Sequence, residues 1–335
     1  MKIGIPRGLL YYLYFPLWDT FFKELGADVV ISAKSNKAIL TNGAKICASD
    51  ACIPLKLFHG HVLDLANKVD AIFVPRLKSV AHGEYICPKF CGLPDMVRYS
   101  APSLPRIIDT EVNIRKKSGK LKQSFEEVGK LLTSDKKKIV HAAEKALFQN
   151  AIFRGQMLNG YLASDLLQNR MMKKQVFQGI TVAVLGHVYN VYDNFINMNL
   201  FKKMYDCGIN AVTPEMISDT VTDRYAAEMP KKIFWTFSRK LIGAAKYWAD
   251  SDEIDGVIYI MSFGCGIDSF TADLCERIFK KKGIPFYIIV IDEHSGEGGF
   301  ETRFEAFADM LKRRKRNESD FSAYGEHSPI DQNAL

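Results

Sequence analysis

Gly256-Val-Ile-Tyr-Ile-Met-Ser-Phe-Gly-Cys-Gly-Ile-Asp268 is the stretch whose reading decides the fold. Gly256 to Met261 is an unbroken apolar run, the pattern of a strand buried on both faces in a parallel sheet. A loop, Ser262 to Asp268, leads straight into a helix predicted over Asp268 to Lys281. Cys265 stands between two glycines at that junction. Packing alone gives no reason for two flexible residues there, whereas close approach of the backbone to a ligand does. In open parallel sheets, ligands bind outside the carboxyl ends of the strands.

Working outward, the same grammar recurs. Downstream, Pro285 to Ile291 reads as a strand and Thr302 to Arg314 as the last helix. Upstream, Ile180 to Leu185 is a strand, Asp193 to Asp206 a helix closed by Gly208, Ile209 to Thr213 a strand ended by Pro214, and Phe234 to Trp248 a helix. The first third follows the same plan. A strand (Lys2 to Pro6) is followed by a helix (Leu10 to Leu25) stopped by Gly26, then a strand (Ala27 to Ser32). A mostly helical region runs to Lys68, and a short apolar strand covers Ala71 to Pro75. Phe22 to Val30 parallels Lys203 to Val212, and Asp70-Ala-Ile-Phe-Val74 parallels Asp255-Gly-Val-Ile-Tyr259. Cys91-Gly-Leu-Pro-Asp95 parallels Cys265-Gly-Ile-Asp268. Alternating strands and helices predict an α/β fold of two Rossmann-like or flavodoxin-like lobes with parallel sheets, related by an internal repeat. The expected divisions are a first lobe at 1–110, a helical connector at 111–178, a second lobe at 179–316 and a polar tail at 317–335. The connector carries apolar positions at Leu147, Ile152, Met157 and Leu162.

Size agrees with two lobes: the chain has 335 residues, and single cores stop growing near ~250–300. Mean hydropathy is −0.07, and no apolar run approaches the roughly 20 residues of a membrane span. The opening Met1-Lys-Ile-Gly-Ile-Pro-Arg-Gly8 reads as a strand entering a loop rather than a signal peptide, so a cytoplasmic location is expected. The net charge is +7. The excess gathers in two runs, Arg115 to Lys138 and Lys312 to Arg316, neither inside a recognisable nucleic-acid-binding module. Neither nucleic acid nor membrane is expected as a partner.

Seven cysteines in a chain of this length and expected compartment are buried small groups, ligands or nucleophiles rather than disulfides. Cys52 lies beside Pro54 near a helix start, where thiolates and anionic clusters are favoured. Cys87 and Cys91, in Glu84-Tyr-Ile-Cys-Pro-Lys-Phe-Cys-Gly92, have a spacing that lets both face one metal centre. Cys207 and Cys275 read as core residues, the latter on an apolar helix face with Phe270 and Leu274. Cys47 leans structural. No paired C-x-x-C unit suggests zinc. Single cysteines from distant loops suit an iron–sulfur cluster. His59-Gly-His61 is a poor metal pair, since residues two apart on a helix face different ways.

The last loop, Asp292-Glu-His-Ser-Gly-Glu-Gly-Gly-Phe300, precedes a helix and can offer backbone N–H groups to an anion. Glu293, His294 and Glu297 are candidate acid–base groups, and Ser295, Gly296 and Arg303 candidate substrate-binding groups. Asn190, Tyr192 and Asp193 follow the first strand of the second lobe, within reach of a ligand.

Ile3-Gly-Ile-Pro-Arg-Gly8, Phe58-His-Gly-His-Val62, Phe73-Val-Pro-Arg76, Glu84 to Phe90, Gly92-Leu-Pro-Asp95, Gly264-Cys-Gly266 and the Asp292 to Phe307 segment together carry a resemblance. The chain resembles the activase-associated, uncharacterised branch of the 2-hydroxyacyl-CoA dehydratase superfamily, the acyl-CoA dehydratase activase-related proteins. The resemblance spans nearly the whole chain. It implies a [4Fe–4S] or related cluster held by Cys52, Cys87 and Cys265. Cys91 departs from the family pattern, which leaves open a further ligand or a double-cubane variant. No Walker-type loop is present, so ATP hydrolysis is expected of a partner, a cluster-bearing activase. A second copy or a related subunit is a further expected partner. The implied function is low-potential electron transfer, or reduction or dehydration of an acyl-CoA or small substrate. The alternative is a non-catalytic, cluster-containing scaffold or regulator of such a system.

Overall fold

The computed structural model describes residues 1–101, 103–113, 119–168 and 179–316. The first sheet and its helices run β1 (Lys2–Ile5), α1 (Tyr11–Glu24), β2 (Asp28–Ile31), α2 (Lys37–Ile46), α3 (Ile53–Leu65), β3 (Ala71–Phe73), β4 (Arg76–Ser79), α4 (Pro88–Ser100) and β5 (Arg106–Ile108). Next come β6 (Glu111–Asn113), α5 (Gly119–Gly129), α6 (Lys136–Leu158) and α7 (Ala163–Leu166). The second sheet and its helices follow as β7 (Thr181–Gly186), α8 (Val188–Val191), α9 (Leu200–Asp206), β8 (Asn210–Val212), α10 (Asp219–Ala227), α11 (Thr236–Ser251), β9 (Gly256–Ser262), α12 (Gly266–Lys281), β10 (Phe286–Ile291) and α13 (Glu297–Lys315). The tail expected at 317–335, the start of the basic run at 115–118 and the end of the connector at 169–178 lie outside the described residues. Among the described residues, no helix is long and apolar enough to cross a membrane.

The fold is α/β, with parallel sheets of the Rossmann/flavodoxin kind. The first sheet has the order β2-β1-β3-β5 and the second the order β10-β9-β7-β8, every pairing parallel. Numbered within its own half, each sheet reads 2-1-3-4. The strand order therefore reverses next to β1 in one half and next to β7 in the other, and that is where a crevice opens at the carboxyl edge. A small parallel pair, β4 with β6, extends the first half. It has no apolar run to announce it in the sequence, because Arg76-Leu-Lys-Ser79 buries only alternate residues.

Aromatic packing holds α1 onto the first sheet. Trp18 lies 4.5 Å from Phe73 between ring centroids, and Phe21 and Phe125 close over it. Asn36, Asp135 and Ser218 start α2, α6 and α10 by accepting hydrogen bonds from first-turn N–H groups. Helix α6 packs on α1 and on the short 3-10 turn Pro214–Met216, so it touches both halves. Its buried face is Ile139, Ala142, Ala146, Phe153 and Met157, whereas Leu147 and Ile152, two of the connector's apolar positions, are exposed.

Two elements depart from the sequence reading for local reasons. The helix expected from Asp193 begins only at Leu200. Asp193 Oδ1 accepts the N–H groups of Phe195 and Ile196 at 2.9 and 3.3 Å, and Asn197 Nδ2 donates to the Val191 carbonyl at 2.6 Å. Such side-chain-to-backbone bonds compete with the helix ladder, and Met198 and Asn199 take positive φ. Likewise, Phe234 and Trp235 stay extended. The Phe234 carbonyl accepts the Tyr85 N–H, and the Tyr85 carbonyl accepts the Thr236 N–H, both at 2.8 Å, tying the halves together before α11 starts.

A buried polar chain also joins the halves. Arg7 N–H donates to Ser32 Oγ at 2.8 Å, and Ser32 Oγ lies 3.0 Å from His61 Nδ1. His61 Nε2 lies 3.0 Å from Ser35 Oγ, which donates to Asp193 Oδ2, where Tyr12 Oη also donates at 3.0 Å. Four donors converge on Asp193 and, among the described residues, no acceptor faces it, the arrangement that suits a carboxylate; burial is the larger effect and raises its pKa. Because Ser35 spends its proton on Asp193, His61 must donate from Nε2 and accept at Nδ1. It is thereby a neutral, fixed tautomer.

Helices α2 and α3 cross at glycines. A Cβ on Gly43 would overlap the Lys56 carbonyl oxygen, and one on Gly60 the Ile39 carbonyl oxygen. Gly60→Ala is expected to cost about 2 kcal/mol or more, the scale of overpacking a core, read as a lower urea midpoint. Burial, aided by Arg7, pushes the His61 pKa down to about 3 from its ordinary 6.5. The unfolded chain therefore takes up this proton near pH 6.5 and the folded chain only near 3. Stability from this group is intact above pH 6.5 and is lost as pH falls through that window. His61→Gln should flatten the fall by up to about 1.4 kcal/mol per pH unit, one proton's worth, in urea titrations run between pH 7 and 4.

Candidate functional site

The two crevices face one another, and three cysteines stand at them in equivalent places. Cys52 is the residue before α3, Cys87 the residue before α4 and Cys265 the residue before α12. In a parallel sheet each helix runs back against its strands, so its N-terminus lies at the carboxyl edge. Pro88 opens α4 and a proline sits in the first turn of α3, where a missing N–H costs nothing. Gly264 has a φ of +73°, which only glycine adopts cheaply, and this turns the chain from β9 into α12. A Cβ on Gly266 would meet open space, because that residue borders the cavity itself.

The three thiols line one cavity of about 80 Å³. Its other walls are Leu9, Leu55, Lys89, Phe90, Tyr189, Gly264, Gly266 and Ile267. None of the sulfurs is in a disulfide, and none makes a capping hydrogen bond of normal geometry. First-turn N–H groups still bear on them: that of Leu55 on Cys52, Lys89 on Cys87 and Asp268 on Cys265, each favouring thiolate. Burial is the larger effect and raises all three thiols. Cys265, which also faces the buried Asp268, is pushed up to about 12. The Lys89 ammonium works the other way on Cys52 and Cys87. These thiols therefore hold their protons at neutral pH, and a bound cation would have to displace them. Tyr189 lines the cavity with all three thiols, and burial, followed by Cys265, Cys52, Asp268 and Cys87, raises its hydroxyl.

Behind Cys265 lies a buried polar group. Asp268 accepts from Tyr259 Oη at 2.7 Å and from the Ser262 N–H and Asn190 Nδ2 at 3.3 Å. His187 Nε2 is 3.9 Å from Asp268 Oδ1, and His187 Nδ1 has no partner among the described residues. A ligand atom from each of His187, Cys265 and Asp268 falls within 4.8 Å of the others, a grouping able to hold a metal ion.

The remaining predicted residues are placed as follows. Cys91 sits one turn inside α4 and does not line the cavity; Arg76 donates to its carbonyl at 2.8 Å. The structural counterpart of Cys265 is thus Cys87, not Cys91 as the sequence repeat suggests. Cys275 is buried against Ala272 and Phe279, while Phe270, expected on the same face, is 51 % exposed. Both histidines of His59-Gly-His61 are buried on different partners, His59 Nδ1 facing the Leu55 carbonyl at 2.9 Å.

The Asp292 loop does not reach the cysteine cavity. Glu293 pairs with Lys56 at 2.5 Å, one turn into α3 from Cys52, and that bond holds its carboxyl below the usual range. His294 and Arg303 are exposed, and Arg303 Nε donates to the Gly299 carbonyl at 2.9 Å. Ser295 Oγ is bonded to Asp292, and Gly296 is the exposed residue before α13. The side chain of Glu297 lies outside the described residues. Sequence reasoning missed Leu9, Lys89, Tyr189 and His187. Of these only Leu9 left a structural oddity, a non-glycine φ of +52°, and nothing in its residue type signals that.

Two family matches support a place among 2-hydroxyacyl-CoA dehydratase and activase-related proteins. The model of the CoA enzyme activase uncharacterised domain (DUF2229) matches residues 2–217, well over half the chain, and the protein belongs to that family. The model of the 2-hydroxyglutaryl-CoA dehydratase D-component matches residues 182–311. The first match contains Cys52 and Cys87 and the second Cys265. No curated protein matches the chain.

Lys56 is 4 % exposed and Glu293 31 %. Glu293→Gln leaves a buried ammonium without its counter-ion and is expected to destabilise the fold by about 1–3 kcal/mol. Lys56→Met combined with Glu293→Gln should recover most of that loss in the same thermal melts.

Proposed function

We propose that this chain is an iron–sulfur component of a 2-hydroxyacyl-CoA dehydratase-type system, working with an ATP-dependent activase that supplies electrons. One observation carries the reading: three unpaired thiols, each preceding a helix, share one largely apolar cavity. The residues suit such a group. Thiolates are the usual cluster ligands, three helix N-termini and Lys89 favour the negative charge of a thiolate-bound cluster, and Leu9, Leu55, Phe90 and Ile267 keep water away. Cys52, Cys87 and Cys265 would hold a [4Fe–4S] cluster. Such a group supplies one-electron transfer and, at an iron lacking a protein ligand, a position for a substrate oxygen. The family matches support the activase partner through their descriptions. Asp268 holds Tyr259 and the β9 end in place and so fixes the direction from which Cys265 reaches the cavity. The Lys56–Glu293 pair anchors the Asp292 loop to α3, so that loop acts on the cavity through α3 rather than by touching it.

Anaerobic reconstitution with ferrous iron and sulfide is expected to load the wild-type chain with both. Cys52→Ala, Cys87→Ala and Cys265→Ala should lose most of the iron and the reduced-state EPR signal, while Cys91→Ala keeps them. Unchanged iron in Cys265→Ala would sink the proposal.

A further inference from the structure

A second cavity is larger than the cysteine cavity. It measures about 330 Å³ and lies where the β1, β2 and β7 ends face each other, with α7 along one side. That is within the range of small-molecule pockets, roughly 300–1,000 Å³. It shares no lining residue with the three-thiol cavity.

Its polar groups are unequal. Arg7 and Lys34 supply two positive charges. Arg7 is held over the Tyr11 ring, 5.4 Å from its centroid, and its Nε donates to the Ser32 carbonyl at 3.3 Å. Among the described residues its terminal guanidinium nitrogens have no partner, and neither Arg7 nor Lys34 forms an ion pair. Lys34 Nζ is steadied by Gln168 Oε1 at 3.1 Å. Among the described lining residues the one carboxylate, Asp193, is buried and accepts from Tyr12, Ser35 and two backbone N–H groups. Its lone pairs are taken by these four donors, so it makes no direct ion pair with Arg7 or Lys34, although its charge still acts on the cavity. Asn194 and Asn199 add amides to the wall. The chain Arg7–Ser32–His61–Ser35–Asp193 then fixes the cationic lip to the acidic base through oriented hydrogen bonds. A planar guanidinium with free N–H groups beside an ammonium is the arrangement that binds an oxyanion bidentately.

We propose that this cavity binds a small organic oxyanion, a carboxylate or a phosphate, through Arg7 and Lys34, at a site separate from the cysteines. Ligand binding there bridges both halves of the molecule, because Arg7 and Lys34 come from the first sheet's edge and Asn194 and Asn199 from the second's.

Isothermal titration with succinate and with inorganic phosphate, on iron-free and on iron-loaded protein, tests this. Saturable binding of either anion is expected in both preparations, the two titrations telling a carboxylate site from a phosphate site. Arg7→Gln and Lys34→Gln should each weaken binding by about tenfold or more, the worth of one charge-assisted hydrogen bond. Arg7→Lys should recover part of the loss, and Lys136→Gln, an exposed charge elsewhere, should change nothing. Lys34 lies at the surface, so its variant keeps the test sound if Arg7→Gln does not fold. The proposal is overturned if neither anion binds, or if both charge-removing variants bind as the wild type does. Because the iron-free protein is titrated directly, failure of cluster assembly leaves this result readable on its own.

Discussion

Parallel pairing is the constraint on which the rest of this molecule depends. A parallel strand must be reached by a crossover, and the crossover helix runs back against the sheet. Every strand therefore ends, and every following helix begins, along one edge. Here that rule acts twice, in sheets of identical 2-1-3-4 order, and the two edges are turned toward each other. The helix starts at Cys52, Cys87 and Cys265 are brought to one cavity by this rule, although 35 and 178 residues separate them along the chain (87 − 52 and 265 − 87). The positive ends of three helices then point at one spot, which no single local motif could achieve.

That geometry has a cost. Thiols withdrawn from water hold their protons, and the raised Cys265 shows how far burial prevails over nearby N–H groups. A site so arranged is poorly suited to nucleophilic attack at neutral pH, because the thiolate is the nucleophile. The surrounding polar groups are treated more economically. Asp193 and Asp268 are buried, yet each is surrounded by donors. His61 stays neutral between two serines, and Lys56 is matched by Glu293. Several of these bonds cross from one half to the other, so the same contacts that satisfy buried polarity also set the width of the crevice.

The cysteine centre was largely legible in the residues, and the reasons differ from one position to the next. Cys265 was marked by its flanking glycines, a local backbone demand that leaves a local trace. Cys52 carried a weaker mark in nearby Pro54, and the choice of Cys52 and Cys87 came from the family resemblance. The competition between Cys87 and Cys91 was misleading, because Cys91-Gly resembles Cys265-Gly in letters while Cys87 matches it in position before the helix. The long helix expected from Asp193 was lost to Asp and Asn side chains that bond the backbone, a choice composition hints at but helical periodicity hides. The Asp292 loop had the right chemistry and a different address: Lys56 takes Glu293, and no feature of either segment alone announces the pairing.

Sequence alone determined the alternation of strands and helices, the buried parallel character of the central strands, the doubling of the plan and the strand-end setting of Cys265. Each of these rests on local periodicity or on a residue's own backbone limits. The tertiary structure alone decided which cysteine answers Cys265 in the first half, that Tyr189 and Lys89 line the cavity with the thiols, and that Arg7 and Lys34 line a second cavity while forming no ion pair among the described residues. These are matters of distance between residues far apart in the chain, and distance is set by how the two sheets close on each other rather than by any one segment.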